Sequence, residues 1–436
     1  MIAIIGGGIS GLSAAYHLKK KGIQCKLFEA SSKVGGKIST LKEGAYLFEE
    51  GPNSLLLHEE HLAFMEEIGL KEELLRAAEV NKNRFVFKKG GYQKLPSSPP
   101  SLLFGDFFSW GTKLAVLTEA FRKSKAPKKG KESVADFFRR RFNQEIVDYA
   151  VNPFISGIYS GDPEQLLIDL TFPSMANAER EHGSIIKGMM KNKGSIQRKA
   201  TYSFKEGMQT LSDQLVSLLD DVALNTPVKS VKKVGEQYDV VTAQGTERFD
   251  KIVFSVPASV VANLLEDLYP HLAFTLRHIN YAPMCCVHSV FKKKDVGYEL
   301  DGFGGLHPQK EGLFTSGSIW SSCIFPDRAP GDEVLLTTFV GGMQNIPSTE
   351  LSDDEIMERT TQELNEIYHI SGAPVLQRMT RWEQAIPQRD QRLLEVQEAL
   401  KDINEDHLYF NANWKEGVSV IDCIESGKAL ATRLTD

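Results

Sequence analysis

Three glycines and one glutamate near the start of the chain have the types and the spacing to bind a dinucleotide. Gly6, Gly8 and Gly11 follow a short apolar segment, and Glu29 lies 18 residues after Gly11. In a strand–turn–helix unit, the first glycine permits a tight turn, the second lets the backbone approach a pyrophosphate, and the third lets the helix pack on the strand. The first N–H groups of the helix favour phosphate oxygens, and the acid suits ribose hydroxyls. The pattern predicts a nucleotide cofactor bound by Gly6, Gly8, Ile9, Ser10, Gly11, Glu29 and Ala30.

The elements that must position these residues can be predicted along the chain. Residues 2–5 and 25–29 are expected to be strands, and a helical pattern follows Gly11. The agreement of strand, turn, helix and acid argues against the alternative, a glycine-rich turn beside an ordinary surface glutamate. Apolar patterns and turn residues predict further helices at 58–75, about 352–370 and 420–434, and further strands at 84–89, 222–224, 228–231, 238–241, 252–254, 284–291, 313–320, 334–341 and 408–410.

The changes of pattern along the chain predict a mixed α/β fold with a discontinuous, Rossmann-like nucleotide-binding domain. Residues 1–80, 201–275 and 401–436 are its three expected parts. Residues 81–200 are expected to be mainly helical and to contact the substrate. Residues 276–400 are expected to form a β-rich substrate region with helices.

The composition is that of an ordinary globular enzyme and excludes several other classes. The 436 residues are 42% hydrophobic and 25% charged, and this length suits two or three domains. The net charge of −6 argues against a nucleic-acid partner. Five cysteines without the spacing of a metal site or a disulfide framework predict no metal and a cytoplasmic location. Neither a signal peptide nor a run of the roughly 18 apolar residues that span a bilayer is expected.

Further glycine motifs resemble one superfamily of flavoproteins. The doublet Gly35-Gly36, the turn at 51–54, the block at 253–258 and the terminal segments 408–414 and 416–420 follow the first fingerprint in the order typical of the flavoprotein amine-oxidase and phytoene-desaturase superfamily. Glycine permits the close backbone approach that a cofactor needs. The resemblance implies FAD rather than NAD, with Val228 against the adenine. It implies cofactor contacts at Gly35, Gly36, Lys37, Gly51, Pro52, Asn53, Ser54, Val228, Gly417, Val418 and Ser419.

Internal segments resemble one branch of that superfamily, the protoporphyrinogen oxidases, and those of plant mitochondria above all. These segments are 150–163, 171–173, 207–211, 325–330, 337–342 and 385–388. The resemblance covers essentially the whole chain. It implies an FAD- and dioxygen-dependent, six-electron oxidation of protoporphyrinogen IX to protoporphyrin IX in haem biosynthesis. A flavin removes two electrons at a time as a hydride, so three cycles and three dioxygen molecules are needed.

The resemblance also implies roles for five residues around the substrate. Arg84 pairs with a substrate propionate, because a guanidinium presents two parallel donors to a carboxylate. Leu306, Ile319 and Phe339 line an apolar slot, and the backbone of Gly157 faces the ring. Without the resemblance these five would be a surface arginine, three core residues and a loop glycine. No catalytic side chain is assigned, since positioning in a dry slot is expected to suffice.

Departures from the family pattern concern the rim of the substrate slot rather than the cofactor, and alternative functions also remain open. Lys37 stands where many superfamily members carry Arg, and the loop after Leu306 is shorter than in the plant relatives. Coproporphyrinogen III, with four carboxylates, is the first alternative substrate. An amine oxidase, a carotenoid desaturase and a flavin-binding partner without turnover are the others.

An aromatic segment at 102–110 leaves open a contact with the inner face of the cell membrane. One interpretation is a buried helix edge, and the other is a patch that enters a bilayer surface. A lysine-rich run would reinforce the second interpretation or form an ordinary solvated loop. Its members are Lys123, Lys125, Lys128, Lys129 and Lys131. A homodimer is left open as well.

Overall fold

Strands and helices alternate along most of the chain. The computed structural model describes residues 1–122, 124, 126–191, 199–403 and 407–435. The strands are β1 (Ile2–Ile5), β2 (Cys25–Phe28), β3 (Thr40–Glu43), β4 (Tyr46–Glu49), β5 (Leu55–Leu57), β6 (Leu74–Arg76), β7 (Phe85–Lys88), β8 (Gly91–Lys94), β9 (Ala200–Phe204), β10 (Val222–Ala223), β11 (Ser230–Val234), β12 (Gln237–Val241), β13 (Thr246–Phe249), β14 (Lys251–Phe254), β15 (Tyr281–Lys292), β16 (Gly304–Leu306), β17 (Thr315–Ile319), β18 (Glu333–Gly341), β19 (Leu376–Pro387) and β20 (Leu408–Phe410). The helices are α1 (Ile9–Lys20), α2 (Glu59–Glu67), α3 (Pro99–Phe104), α4 (Trp110–Thr118), α5 (Val134–Arg141), α6 (Gln144–Ile146), α7 (Asn152–Tyr159), α8 (Ile168–Thr171), α9 (Pro173–His182), α10 (Ile185–Lys191), α11 (Gln209–Ser217), α12 (Ala258–Leu265), α13 (Pro270–Arg277), α14 (Ser321–Ile324), α15 (Asp353–Tyr368), α16 (Gln391–Ala399) and α17 (Val420–Arg433).

A parallel sheet of five strands carries the dinucleotide fingerprint. Its strand order is β10-β2-β1-β14-β20, and every residue of β1 is buried. A central strand of a parallel sheet is covered on both faces, which explains its uninterrupted apolar sequence. The carboxyl ends of parallel strands meet at one edge, where ligands bind in this class of sheet. Gly6, Glu29, Ser255 and Asn411 follow directly after β1, β2, β14 and β20, and therefore lie at that edge.

The first and the last helix pack closely against each other beside this sheet. A Cβ at Gly427 in α17 would lie 2.6 Å from Ser13 Oγ in α1, so only glycine permits this approach. Ser13 Oγ donates a hydrogen bond of 2.8 Å to the Ile424 carbonyl oxygen. Asn411 Nδ2 donates another, of 2.8 Å, to the Ser10 carbonyl oxygen. Residues 411 and 401 positions apart in the sequence thus build one surface.

A sheet of seven strands, in the order β19-β15-β18-β17-β16-β7-β8, forms the second layer. One face packs on α15, where the Tyr368 hydroxyl accepts a hydrogen bond of 3.0 Å from Trp320 Nε1. The register places Phe339 opposite Gly317 and Gly317 opposite Leu306. Ile319 is two residues from Gly317, so alternation along the strand puts Leu306, Ile319 and Phe339 on one face.

The helical region between β8 and β9 is held together by buried charges. Glu119 and Glu179 are 0% exposed and Arg141 is 1% exposed. Arg141 donates from Nε to Glu119 at 2.9 Å and from a terminal nitrogen to Glu179 at 3.2 Å. Ser184 Oγ donates to Glu119 at 2.6 Å. Buried charges must be paired, so this network fixes the end of α4 against α5, α9 and α10.

The structure confirms the mixed α/β fold and corrects several predicted elements. The helix predicted at 58–75 is wrong in its second half: α2 ends at Glu67, Gly69 has a φ of +79°, and β6 follows. The strands that were absent from the prediction are β3, β4, β5, β6, β8, β9, β13, β16 and β19. β19 lies at the edge of its sheet and is rich in polar residues, so apolar periodicity could not indicate it. The domain boundaries remain a prediction, and β7 and β8 join the sheet formed mainly by residues 281–387.

Candidate cofactor and substrate site

The turn after β1 has the backbone geometry that a dinucleotide requires. Gly6 has a φ of +109°, and a Cβ there would lie 2.5 Å from the Ser255 carbonyl oxygen. A Cβ at Gly11 would overlap the carbonyl oxygen of Gly6. Both positions therefore require glycine. A Cβ at Gly8 would meet no described atom within 4 Å, so open space lies beside this residue, where a pyrophosphate would approach.

The first turn of α1 offers its backbone N–H groups to an anion. Gly8 is the N-cap residue, and within the described ranges no side chain caps this helix and no acid occupies its first turn. Ile9, Ser10 and Gly11 form that turn and are buried. The partial positive charge of the helix start is therefore not neutralised by the protein, which suits a phosphate oxygen.

The Glu29 carboxylate is fixed directly beside this turn. One oxygen accepts a hydrogen bond of 2.7 Å from the Gly7 N–H. The other accepts bonds of 2.8 Å and 2.6 Å from the N–H and the hydroxyl of Ser31. Ala30, between them, is exposed. The acid is thus held at the edge of the sheet, where a ribose would lie.

The segment that contains Val228 passes along the same acid. The Thr226 N–H donates a hydrogen bond of 2.8 Å to the Glu29 carbonyl oxygen. Val228 is half-buried and packs against the core cluster that contains Phe28 and Phe249. Val228 and Glu29 therefore lie on the same side of the fingerprint turn, in keeping with the predicted adenine contact.

The Gly35-Gly36 doublet rests on the fingerprint turn. The Gly35 N–H donates a hydrogen bond of 2.9 Å to the Gly7 carbonyl oxygen. A Cβ at Gly36 would lie 3.2 Å from the Cα of Gly8. Both doublet residues have positive φ, +121° and +62°, a conformation that glycine adopts without strain. The two glycine motifs thus line one space.

Lys37 and the loop at 51–54 extend that space toward the seven-stranded sheet. The Lys37 ammonium donates to the Gln384 carbonyl oxygen and lies 5.5 Å from the centre of the Trp382 ring. Burial lowers the pKa of Lys37 to about 8. A Cβ at Gly51 would overlap the Lys37 carbonyl oxygen, and Asn53 Nδ2 donates to the Gly51 carbonyl oxygen at 3.2 Å. Gly51, Pro52, Asn53 and Ser54 are all half-buried.

The start of α17 closes the other side of the space. Ser419 caps this helix by accepting a hydrogen bond of 3.0 Å from the Asp422 N–H. A Cβ at Gly417 would lie 2.5 Å from the Asp422 Cβ, so the turn before the helix requires glycine. Val418, between them, is half-buried. A second helix N-terminus therefore starts beside the first, as the Asn411 bond to α1 requires.

Four residues predicted to surround the substrate come together at the face of the seven-stranded sheet described above. Leu306, Ile319 and Phe339 are half-buried on that face. A Cβ at Gly157 in α7 would lie 3.0 Å from the Leu306 Cδ2, so the α7 backbone approaches the sheet at Leu306. The result is an apolar face with a helix backbone beside it.

Arg84 lies beside Ile319. Its guanidinium is 3.9 Å from the centre of the Phe303 ring, and Phe303 packs in the same cluster as Ile319. It donates to the Asn81 carbonyl oxygen, and within the described ranges it forms no ion pair with a carboxylate. Burial lowers the pKa of Arg84 to about 10. A stacked guanidinium without an acid partner among the described residues could pair with an external carboxylate.

Comparison with known proteins places this arrangement in a family. The family described as flavin containing amine oxidoreductase matches residues 9–435. The chain belongs to that family. Its membership confirms that the chain is a flavin-dependent oxidoreductase and confirms the FAD cofactor that the superfamily resemblance implied.

Relatives of this amine oxidoreductase include two kinds of porphyrinogen oxidase. The mitochondrial protoporphyrinogen oxidase of Nicotiana tabacum is 32% identical, over 98% of this chain and 93% of the relative. The coproporphyrinogen III oxidase of Bacillus subtilis (strain 168) is 30% identical, over 98% and 96%. A crystal structure from Exiguobacterium sp. 255-15, of a candidate protoporphyrinogen oxidase, covers 99% of this chain and 98% of its own, with a TM-score of 0.81 and 23% identity; it shows the fold alone.

The residues of this amine oxidoreductase fit FAD. The open space beside Gly8, the start of α1 without a capping side chain among the described residues, the adjacent start of α17 and the fixed Glu29 carboxylate match a pyrophosphate between an adenosine and a second half. FAD supplies a ring that takes two electrons as a hydride. The contact of each single residue with FAD stays a prediction. Within the described ranges, no group of His, Cys, Asp and Glu could hold a metal ion, and no helix is long and apolar enough to cross a membrane.

The sequence did not indicate a buried polar cluster behind the 51–54 loop. Glu49 is 4% and Arg328 is 1% exposed, with 3.6 Å between carboxylate and guanidinium. Arg328 donates to Ser203 Oγ at 2.7 Å and to the Phe204 carbonyl oxygen at 2.9 Å. The only signal was an acid at the end of the otherwise apolar β4, which alone does not predict a partner 279 residues away.

Proposed function

We propose that this enzyme oxidises a porphyrinogen to the corresponding porphyrin, with FAD as the hydride acceptor and dioxygen as the final oxidant. Three cycles remove six electrons and yield three molecules of hydrogen peroxide. The observation that carries the proposal is Arg84, a guanidinium that lies at the edge of an apolar face and has no acid partner in the described part of the chain. That combination suits a large apolar macrocycle with carboxylates on one edge. The names of the relatives support the same substrate class.

Protoporphyrinogen IX is the first candidate substrate. Arg84 is the one substrate-facing arginine that we infer, which matches a substrate with two carboxylates better than one with four. Arg84 would hold a propionate, while Leu306, Ile319 and Phe339 would contact the ring and exclude water. Positioning of a ring carbon near the flavin would then supply most of the rate enhancement.

Coproporphyrinogen III is the second candidate. The Bacillus subtilis relative that is named for this substrate matches 96% of its own length. Its identity of 30% is close to the 32% of the tobacco protein, so overall similarity does not separate the two substrates.

Spectroscopy of the purified protein tests the proposal. A yellow protein with flavin absorbance is expected, and anaerobic addition of a porphyrinogen should bleach it. Protoporphyrinogen IX and coproporphyrinogen III are compared by the rate of bleaching and by porphyrin fluorescence in air. Bleaching by an amine or a carotenoid precursor, and by neither porphyrinogen, would reassign the enzyme. Flavin that no substrate bleaches would indicate a binding protein without turnover.

We also propose that α4 touches the inner surface of the cell membrane. Trp110, Leu114 and Leu117 lie on one side of α4, with Phe121 after it. Their exposed fractions are 79%, 61%, 55% and 85%. Such a contiguous apolar strip suits a lipid surface and a poorly soluble substrate. By contrast, Phe107 and Phe108 of the predicted aromatic segment are buried. Lys123 and Lys125 lie outside the described residues.

Flotation with anionic liposomes tests the membrane contact. The double variant Trp110→Ser/Phe121→Ser should lose flotation and keep its activity toward porphyrinogen in detergent, because neither residue lies near the proposed slot. A matched variant at another exposed aromatic residue, Phe274→Ser (62% exposed), should float like the parent. Equal flotation of all three proteins would refute the proposed contact.

A further inference from the structure

A small cavity lies between the loop at 51–54 and the apolar face of the seven-stranded sheet. Its volume is about 10 Å³, and its lining comes from β4, that loop, α14, β18 and the turn around Arg328. The polar side chains of the lining are Glu49, Asn53, Ser321, Arg328 and Thr337. A space of about this size holds one water when two to four polar groups surround it. The cavity therefore suits a single water.

Glu49 is the one acid of this lining, and its surroundings favour a change of protonation near neutral pH. Its carboxylate oxygens accept hydrogen bonds of 2.7 Å from Thr40 Oγ1 and 2.9 Å from the Met208 N–H. Burial raises the pKa of Glu49 to about 7, with Glu50 acting in the same direction and the Arg328 guanidinium opposing it. Burial outweighs the donors because the carboxylate has almost no contact with water.

A chain of buried hydrogen bonds connects this cavity with the back of the slot. Ser321 Oγ and Thr337 Oγ1 are 2.8 Å apart, and His288 Nδ1 lies 3.2 Å from Thr337 Oγ1. Cys286 Sγ is 3.6 Å from the other ring nitrogen of His288. Burial lowers the pKa of His288 to about 4, so the ring is neutral and can accept at one nitrogen while it donates at the other.

The same chain borders the proposed substrate. Thr337 is the register partner of Ile319, and Cys286 is the register partner of Phe339. Partners in a sheet project to the same face. Hydroxyl, imidazole and thiol groups therefore lie among the apolar residues of the slot, and Asn53 of the loop at 51–54 lines the same cavity as Thr337.

We propose that one water occupies this cavity and, with Thr337 and Ser321, connects the slot to Glu49, which stores the proton released in each oxidation step. The inference rests on the proposed function. In each step the porphyrinogen loses a hydride from a C–H bond and one proton, and the Glu49 carboxylate gains that proton. Over the three steps, two of these protons come from N–H bonds and one comes from the fourth bridging carbon. Reduction of dioxygen to hydrogen peroxide consumes two electrons and two protons. The hydride supplies both electrons and one hydrogen, and Glu49 returns the second proton.

Anaerobic stopped-flow reduction of the holoenzyme by protoporphyrinogen IX tests this role. From about pH 5 to about pH 9, the wild-type rate of flavin bleaching should rise through a step near pH 7, because only ionised Glu49 accepts a proton. Glu49→Gln should be about 100-fold slower, with no such step. The matched control is Glu333→Gln, which removes a buried carboxylate of the seven-stranded sheet that does not line the cavity (4% exposed). It should keep both the rate and the step.

A second measurement is independent of turnover. The infrared carbonyl band of a buried carboxylic acid should appear in the apoprotein below about pH 7, persist in Glu333→Gln and be absent from Glu49→Gln. Should Glu49→Gln not fold, Thr337→Val breaks the chain and leaves Glu49 in place, so its bleaching should be slowed while the band remains.

The outcomes separate this inference from the proposed function. Rapid bleaching with an unchanged pH step in Glu49→Gln would overturn the role of Glu49 and leave porphyrinogen oxidation intact. An apoprotein without the carbonyl band would overturn it as well. Wild-type flavin that no porphyrinogen bleaches would overturn the proposed function, and this inference with it.

Discussion

Arg84 and Glu49 are both largely removed from water, and they differ in what the protein gives them in return. Glu49 has a guanidinium and two hydrogen-bond donors around it. Arg84 has an aromatic ring and a carbonyl oxygen, and neither neutralises its charge. An unneutralised, half-buried cation costs stability. A protein gains from keeping it only where a bound anion completes the pair.

Replacing Arg84 should therefore weaken substrate binding. Arg84→Met should raise the KM for protoporphyrinogen IX about 10- to 100-fold with little change in kcat, since a bond to a charged group contributes about 1.5–3 kcal/mol. Arg84→Lys should recover part of the loss. Arg76→Met, at an exposed position on β6, serves as the control in the same steady-state fluorescence assay. An unchanged KM in Arg84→Met would contradict the proposed contact between Arg84 and a propionate.

Glu49 should also make stability depend on pH. Its pKa rises on folding from about 4.5 to about 7, so the folded protein binds the proton more tightly. The resulting stabilisation is complete below about pH 4.5 and is lost as the pH rises through about 7. The free energy of unfolding of the apoprotein, measured with urea, should fall across this window more steeply in the wild type than in Glu49→Gln. The buried His17, His288 and His307 are present in both proteins, so the difference isolates Glu49. The same pH dependence of the unfolding free energy in both proteins would contradict this contribution of Glu49.

Helices α1 and α17 act as a pair because each supplies a turn to the cofactor side and a small residue to the contact between them. Gly427 permits the approach at Ser13, and the Asn411 amide connects the β20 end to the start of α1. A change at this contact, well behind the expected pyrophosphate, should therefore alter how the two helix starts are placed.

Gly427→Ala tests this coupling. The added methyl would lie 2.6 Å from Ser13 Oγ, so the helices must separate, at a cost of about 1–3 kcal/mol. The variant should lower the unfolding midpoint and weaken FAD retention, as measured by flavin released on gel filtration. Gly111→Ala is a matched control because its nearest neighbour would be 3.9 Å away. It should be neutral or slightly stabilising. Retention equal to that of the parent would show that the helix starts tolerate the shift.

Element boundaries could be predicted where local patterns suffice. β1 and α17 were predicted within one residue because a buried strand and an amphipathic helix each have a local signature. The first helix was predicted only after Gly11, whereas α1 begins at Ile9, inside the glycine turn. α2 was predicted too long, since the apolar pattern continues past the glycine that ends it. β19 went unpredicted because its polar sequence is stabilised by pairing with β15, a contact outside its own segment.

The cofactor site and the substrate site also differ in how far they could be predicted from the sequence. The fingerprint glycines could be predicted from their spacing after an apolar strand. The cofactor contacts of the doublet and of Gly417 were implied by the resemblance, and they stay predictions. The roles of Arg84, Leu306, Ile319 and Phe339 came from resemblance alone, since nothing in their local sequence distinguishes them from core or surface residues. The cluster of Glu49, Arg328 and His288 could not be predicted, because its partners meet only after β4, β15 and β18 have packed together.

Because FAD would contact parts of the chain that are far apart in sequence, its binding should stabilise the molecule as a whole. At a free FAD concentration of about 100 times Kd, the gain is about 2.7 kcal/mol, or about 3 °C in Tm for a chain of this length. Differential scanning calorimetry of the apoprotein with and without FAD checks this value. Riboflavin, which lacks the pyrophosphate and the adenine, should produce a much smaller shift. An equal shift in Tm with riboflavin would show that the ring alone supplies the binding energy.

The strand order β2-β1-β14-β20 has a consequence for biosynthesis. While a ribosome is still producing the middle of the polypeptide, β1 has a neighbour on one side only, and Asn411 has not yet been translated. A nascent fragment ending before residue 408 would thus expose an apolar sheet edge and lack the Gly417 turn. FAD binding must therefore follow translation of the C-terminal segment. Truncated products would depend on chaperones for protection from aggregation.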